Sequence, residues 1–449
     1  MFVRPEKWNL LSAAERREAR FSSWMSTADK AFATAKAEQT YRRHSQRMAD
    51  IIALKKPDRI PLLPLIGGFV HKYGGITPHQ AMYDSRAFAR AYTKFVEDFL
   101  PDYNMPDPGD SGRMLDLLDY KVYRWPGHGL PLTESFQMIE EEYMLADEYD
   151  QFIADPELFY LRVYMPRAFG ALSAWRMLPS AFATMELPMM AAFLAPVGTP
   201  EVQQAFRALL DAGKQAYDWT RTIGEAETHL TESLGIPSLL AGFSKAPFDI
   251  IGDTLRGTRG IMLDLFRQPA NVFAALERLV PIAIQMAVES ADAQDTPFIF
   301  IPLHKGADEF MSSASFQKFY WPSYKTVLLG MIAEGLVPFQ FVEGSYNRRL
   351  DIITDPDIPV GTTYWNFDRT DMLQVKKKLG GWACFSGNVP GSLLYTGTAS
   401  EVEDYVKRLI DNVGRDGGYA MATGLVVDHA LPENLHAMFK TCKEYGVDH

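Results

Sequence analysis

Apolar runs of strand length recur along the second half of the chain, and each gives way to a short polar or glycine-rich cluster. Between residues 336 and 445 four such runs stand out: LVPFQFVEGSYNRRL, PVGTTYWNFDRTD, WACFSGNVPGSLL and GYAMATGLVVDHALPENL. A fifth, TPFIFIPLHKGADEFMS, precedes them. Helix-forming segments lie between the later runs, at 370–379 and 400–413. Buried strands alternating with helices predict parallel pairing, because parallel neighbours need a helical crossover. In such folds the chemistry sits at the C-terminal ends of the strands. The pattern therefore places a site where Glu343, residues 364–368, Asn388, Asp428 and His429 converge.

Upstream, residues 1–54 read as helical and charged, with Ser12 and Glu15 spaced as a capping box. They form a packing arm or a dimer element. The text then changes to KKPDRIPLLPLIGG, a charged turn feeding a strand, and Thr77-Pro78 opens a helix to about Phe99. The intervening loop carries Gly67, Gly68 and His71. Proline, aspartate and glycine crowd residues 98–129, predicting loops. The acidic run 134–150 reads as a solvated face. Thr199-Pro200 opens a long helix to about Gly224, and another runs to about Ala291. The simplest organisation is a helical N-terminal extension, 1–54, and one α/β domain, 55–449.

Composition narrows the class. A hydrophobic share of 47% leaves ample material for a large core, and a net charge of −11 argues against a basic nucleic-acid-binding face. Two cysteines, Cys384 and Cys442, are too few for a disulfide framework. The opening MFVRPEKWNLL lacks the features of a signal peptide, and the most apolar stretch, 189–197, is too short to span a bilayer. These features lead us to expect a cytoplasmic protein that engages neither membrane nor nucleic acid.

Six motifs now follow one another in a recognisable order: KKPDRIP, GITPHQAMYD, APFDIIGDTLRGTRGIMLDLF, FMSSASFQKFYWPSYK, GNVPGSLLYTGT and GGYAMATG…LPENLHAM. From about Lys55 to Gly446 the chain resembles the uroporphyrinogen decarboxylase superfamily. The resemblance implies a (β/α)8 TIM barrel with its cleft at the strands' C-terminal ends. That superfamily holds porphyrinogen decarboxylases and methyltransferases that use methylcobalamin or corrinoid proteins. Two departures matter. The decarboxylases carry an arginine-rich motif where this chain reads LLPLIGGFVHKYGG, without arginine. A polycarboxylate tetrapyrrole needs several cationic partners. The zinc-dependent thiol methyltransferases carry His-x-Cys and a later cysteine where this chain has Phe341-Val342-Glu343 and roughly residues 423–425. What remains resembles the corrinoid-linked branch that removes methyl groups from small substrates.

Individual residues carry competing readings. Glu343, at a strand end, is either a general acid or zinc ligand, or a partner of Arg348 or Arg349. His304 donates a proton, binds substrate or metal, or is hydrogen-bonded structure. Zinc on His304 and Glu343 would need a third ligand, for which Asp308, Cys384 and His429 are the candidates. Tyr364, Asn366 and Asp368 alternate onto one face; Tyr364 and Asn366 suit pocket lining, with Tyr364 a further proton donor, and Asp368 suits a helix cap. Asn388 fixes its loop or touches ligand. His429 and His71 either enter the cleft or lie outside it. The leading function is methyl transfer between a small methoxylated or methylated substrate and a corrinoid, with zinc as an optional Lewis acid. The alternative is a cofactor-free lyase or decarboxylase acting on a small carboxylate or ether. Because no Asp-x-His-x-x-Gly signature is present, the corrinoid is expected on a partner protein. The resemblance also implies a homodimer.

Overall fold

The computed structural model describes residues 1–105, 110–240 and 242–447. Of the loop expected over 98–129, residues 106–109 therefore lie outside the described residues. Three short strands come first: β1 (Tyr123–Pro126), with β2 (Gly129–Leu130) parallel and β3 (Gln137–Met138) antiparallel to it. The main sheet then runs in simple sequence order: β4 (Gly242–Phe243), β5 (Phe298–Leu303), β6 (Val337–Val342), β7 (Tyr364–Phe367), β8 (Cys384–Ser386) and β9 (Tyr419–Ala420). All its pairings are parallel. The FIFIPL and VPFQFV runs form β5 and β6, and every residue of β6 is buried. Burial on both faces is what a parallel sheet walled by helices demands.

Among the described residues the backbone does not form a closed ring of eight strands. The hydrogen-bonded sheet has six strands. Two extended segments flank it through isolated parallel bridges, Leu62 and Ile66 with Met421 and Val427, and Asn104 with Ser238. Between those two segments the link is a side chain: the Leu62 N–H donates to the Asp102 carboxylate at 2.7 Å.

Residues 1–54 pack against the main sheet. The Ser12–Glu15 capping box starts the helix Ala13–Met25, and Ala35–Ile52 follows. Trp24, Met48, Ile51 and Ile52 pack with Leu63, Phe298, Val337, Phe339, Tyr364, Cys384 and Ala420, sealing the floor where the strands begin. The Trp24 indole donates to Ser238 O at 2.9 Å. The predicted long helix continues beyond Gly224, as Pro200–Leu234, and ends on Gly235 in the left-handed conformation.

The helix Pro269–Gln294 is long and apolar enough to cross a bilayer by length and composition. Its buried residues Val272, Ala275, Leu276, Leu279, Ala283, Ala287 and Ala291 recur at helical spacing and join the main core. At Gly330 of the neighbouring helix Trp321–Ala333 an added Cβ would lie 2.3 Å from the Ile284 side chain, so the two helices meet there at close range. Helix packing accounts for this apolar stripe.

Candidate active site

Register builds the site. Leu303 pairs with Val342 and Val342 with Phe367, so the next residues on these three strands, His304, Glu343 and Asp368, stand side by side along the C-terminal rim. Neighbouring strands lie ~4.8 Å apart, close enough for such side chains to meet. The His304 Nε2 is 3.8 Å from Glu343 Oε1. The other ring nitrogen, Nδ1, is 2.6 Å from Asp253 Oδ2. Asp253 is nearly inaccessible and also faces Lys245 Nζ at 2.7 Å and Lys305 Nζ at 3.4 Å. Beneath it, the fully buried Asp249 accepts from the backbone N–H groups of His304 and Lys305 and from the Tyr320 hydroxyl. Asp249 thus holds the strand end, and Asp253 orients the imidazole.

These contacts set the charges. Burial raises the Asp253 carboxyl, but His304 and Lys245 outweigh it and hold the group far below the usual carboxylate range. Burial disfavours the His304 imidazolium, yet Asp253, Asp249 and Glu343 together raise its pKa. Glu343 is raised by burial and by Asp253, Asp249 and Asp368, against the pull of His304. Both groups therefore hold a proton more readily than the free side chains do.

A cap formed by the segment around β1–β3 lies over this rim. Glu140 Oε1 accepts from Lys305 Nζ at 2.8 Å and from the Thr258 hydroxyl at 2.5 Å, while Glu142 pairs with Arg256 at 3.0 Å. The acidic run 134–150 is therefore not simply a solvated face: its glutamates dock the cap. Tyr123 of β1 faces the same centre, its hydroxyl pushed up by burial and by Asp253, Asp110 and Glu343.

The remaining predicted residues scatter. Tyr364 starts β7, is fully buried in the floor and stacks on Phe339 at 4.2 Å, so it is removed from the rim. Asn366 is fully buried; it donates to the carbonyls of Thr423 and Gly424 and accepts from the Ser386 hydroxyl, tying strands together. Asp368 does not cap the next helix, a role Asp371 takes, but accepts from Gly344 N–H at 3.2 Å. Asn388 fixes its loop, donating to Asp368 O and Thr370 O. His429 is exposed beside Tyr395, 5.8 Å between rings. Asp428, its neighbour, accepts instead from Gly68 N–H at 2.8 Å, and His71 is buried in a cleft that Asp428 also lines.

A zinc set is not assembled from the candidates named in the sequence. Cys384 lies in the floor, His429 is exposed by Tyr395, and Asp308 is engaged with Ser345 and the Arg348 N–H. His304 Nδ1 is taken by Asp253, which leaves one imidazole nitrogen and Glu343 facing each other. Among the described residues no group of three His, Cys, Asp or Glu side chains could hold a metal ion. Structural zinc needs four ligands and catalytic zinc three.

Sequence reasoning missed Asp249, Asp253, Lys245, Glu140 and Tyr123. The motif APFDIIGDTLRGTRGIMLDLF carries the family resemblance, and its aspartates Asp249 and Asp253, four residues apart, are a readable sign of one helical face.

The sequence model of the uroporphyrinogen decarboxylase (URO-D) family matches residues 188–445, more than half of the chain. The chain belongs to the uroporphyrinogen decarboxylase family. Its fold is similar to that of a methyltransferase from Methanosarcina mazei, at 14% identity and a TM-score of 0.56, over 90% of this chain and 98% of that one. No curated protein sequence matches. As a family member the protein has an α/β fold whose parallel strands end in an acidic rim. Three cations there are engaged: Lys245 and Lys305 with Asp253, and Arg369 with Glu309 and Asp368.

Proposed function

We propose that the protein is a methyltransferase moving a methyl group from a small methoxylated or methylated substrate to a corrinoid carried by a partner protein. The observation that carries this reading is the His304–Glu343 pair, oriented by Asp253 at the C-terminal rim of adjacent parallel strands. The same reading treats the sheet and its two flanking segments as a (β/α)8 barrel, and the protein as a cytoplasmic homodimer. The similarity in fold to a methyltransferase is consistent with it. So is the acidic rim, where Lys245, Lys305 and Arg369 are already paired with carboxylates and a many-carboxylate porphyrinogen would meet Asp253, Glu343 and Asp368.

The reduced corrinoid, when docked, supplies a nucleophile able to take the methyl group. This chain's residues do the rest. An ether oxygen leaves poorly unless its developing negative charge is met by a proton. Glu343, whose pKa burial and the neighbouring aspartates raise, delivers that proton, and His304, 3.8 Å away and with its own pKa raised, resupplies the carboxyl. Asp253 orients the imidazole and stabilises its charged form. The cap, anchored through Glu140, restricts water at the oxygen being protonated.

The test follows the absorbance of reduced cobalamin, free or on a corrinoid protein, with a panel of methoxylated and methylated donors. Methylation of the corrinoid by the wild-type protein, slowed in Glu343→Gln, is the expected result. An unchanged spectrum with every donor under strong reduction would sink the reading, and product formation without cobalt would replace it with the lyase alternative.

A further inference from the structure

The helix Pro200–Leu234 outgrows the sheet. Its 35 residues span about 50 Å, against about 20 Å for the six residues of β6. Its C-terminal end is fixed at the floor, where Gly235 meets Ala37, so its first half projects past the rim. One face of that half is covered, because Val202, Ala205 and Ala212 pack with Leu172 and Trp175. A second line of residues lies open. Phe206, Leu210, Gly213, Tyr217, Thr220 and Gly224 recur at alternating intervals of four and three, the spacing of a seam between paired helices. Leu210 is 72% and Tyr217 69% exposed, and a Cβ added at Gly213 or Gly224 would meet nothing. A mid-helix glycine weakens the helix that carries it, but on a seam it lets a second backbone approach.

The chain leading into this helix is apolar too. Residues 177–200 hold a single charge, Glu186, and none of residues 180–200 is buried. Phe182 is 75% and Leu187 86% exposed. This stretch forms the turns Ala181–Thr184 and Leu187–Met189 and the eight-residue helix Met190–Val197, which contains Pro196. They pack on one another and on the start of the long helix. Isolated helices shorter than about 12 residues are marginal in water. A helix of eight residues that buries no side chain therefore needs a surface from outside the chain.

Phe182, Met185, Leu187, Leu194, Leu210 and Tyr217 together leave on the order of 800 Å² open, about what each partner contributes to a standard interface. Monomers rarely expose so large an apolar patch. Its near lack of charge fits a permanent partner better than one that comes and goes. A membrane-bound patch would carry lysine and arginine beside it. Here the adjoining helix face alternates in sign, through Arg207, Asp211, Lys214, Asp218, Arg221 and Glu225. We propose that the projection 177–224 is the surface on which two copies of this chain join, the open seam of one long helix packing against that of the other. A second copy brings the same patch in equal amount, so a two-fold contact covers both at once. The proposal gives a surface to the homodimer of the reading above and uses none of its chemistry.

Sedimentation velocity of the full-length protein over a wide concentration series tests it. A species of twice the chain mass is expected. Leu187→Glu combined with Leu210→Glu should raise the dissociation constant at least about a hundredfold, since each copy would then bury two unpaired charges. Tyr217→Ser alone, which adds no charge, should raise it about tenfold. Phe266→Glu, at an equally exposed apolar site on the helix Gly257–Arg267, should leave it within about threefold. Amide exchange over residues 190–197 should be slower in the dimer than in the double variant. A monomer at every concentration, a dimer indifferent to both Tyr217→Ser and the double substitution, an equal loss in Phe266→Glu, or a monomer that binds phosphatidylglycerol vesicles through this patch would overturn the proposal. The two readings fail separately. A monomer that methylates the corrinoid keeps the role and ends the interface, and a dimer that methylates nothing keeps the interface and ends the role.

Discussion

Two Asp–His pairs occupy different levels of this sheet, and their imidazoles shift in opposite directions. Below the strands, Asp102 takes Arg59 at 2.8 Å, Arg47 at 3.4 Å, His44 at 3.3 Å and the Leu62 N–H. On the rim, Asp253 takes His304 at 2.6 Å with Lys245 and Lys305. Both aspartates are held strongly ionised. Burial, with Arg47, Arg59 and Lys443 adding to it, drives His44 down to about 4. Asp249 and Glu343 help to raise His304. One aspartate beside a histidine is therefore not a signature of chemistry. The charge of the wider shell decides whether the ring is a neutral structural group or a proton carrier.

Substitutions that separate rate from stability distinguish the two pairs most clearly. Glu343→Gln should lower the rate of corrinoid methylation by about 10²–10⁴-fold while leaving the urea midpoint unchanged, because the side chain is half-exposed and its loss unpairs no buried charge. Asp102→Ala should do the reverse. It strands the Arg59 guanidinium and the Leu62 N–H and leaves Arg47 with Asp58 alone, and a loss of about 3–5 kcal/mol in denaturant unfolding is expected. A stable Asp102→Ala protein would show that the side-chain link between the two flanking segments is dispensable.

The pH dependence of stability should differ in sign between the pairs. The depressed pKa of His44 contributes stability that is complete above its unfolded value near 6.5 and lost as pH falls toward 4. The raised pKa of His304 contributes stability that is complete below about 6.5 and lost as pH rises through its folded value. Urea midpoints of wild type, His44→Gln and His304→Gln between pH 4 and 8 should diverge accordingly, and identical profiles would contradict the opposed shifts. The smallest effect belongs to the cap. Glu140→Gln should cost less than about 1 kcal/mol, since this ion pair is only partly buried, but should speed proteolysis within residues 120–144. An unchanged cleavage pattern would mean that Glu140 does not anchor the cap.

Much of the fold was readable locally. The capping box at Ser12 starts a helix where expected, and so does Thr77, although the helix expected to run to Phe99 is interrupted at Asp84, which caps a second one. Glu343 and His304 sit at strand ends because each follows an apolar run directly. The failures are instructive for the same reason. Tyr364 and Asp368 belong to one run, but the strand begins at Tyr364, which sends it to the floor and leaves Asp368 on the rim. Alternation assigns a face, and it says nothing about height along the strand.

The apolar runs, their polar ends, the caps and the absence of arginine from the first strand's loop are properties of the sequence itself, because helix and strand preference, capping and charge act over a few residues. Only the tertiary structure decided that Leu303 lies beside Val342, that Asp253 from a segment some fifty residues earlier reaches His304, and that His71 is buried without a partner. Strand register, the charge around a titrating group and the closing of a cleft are set by which distant segments pack together. Those contacts arise from the folding of the whole chain.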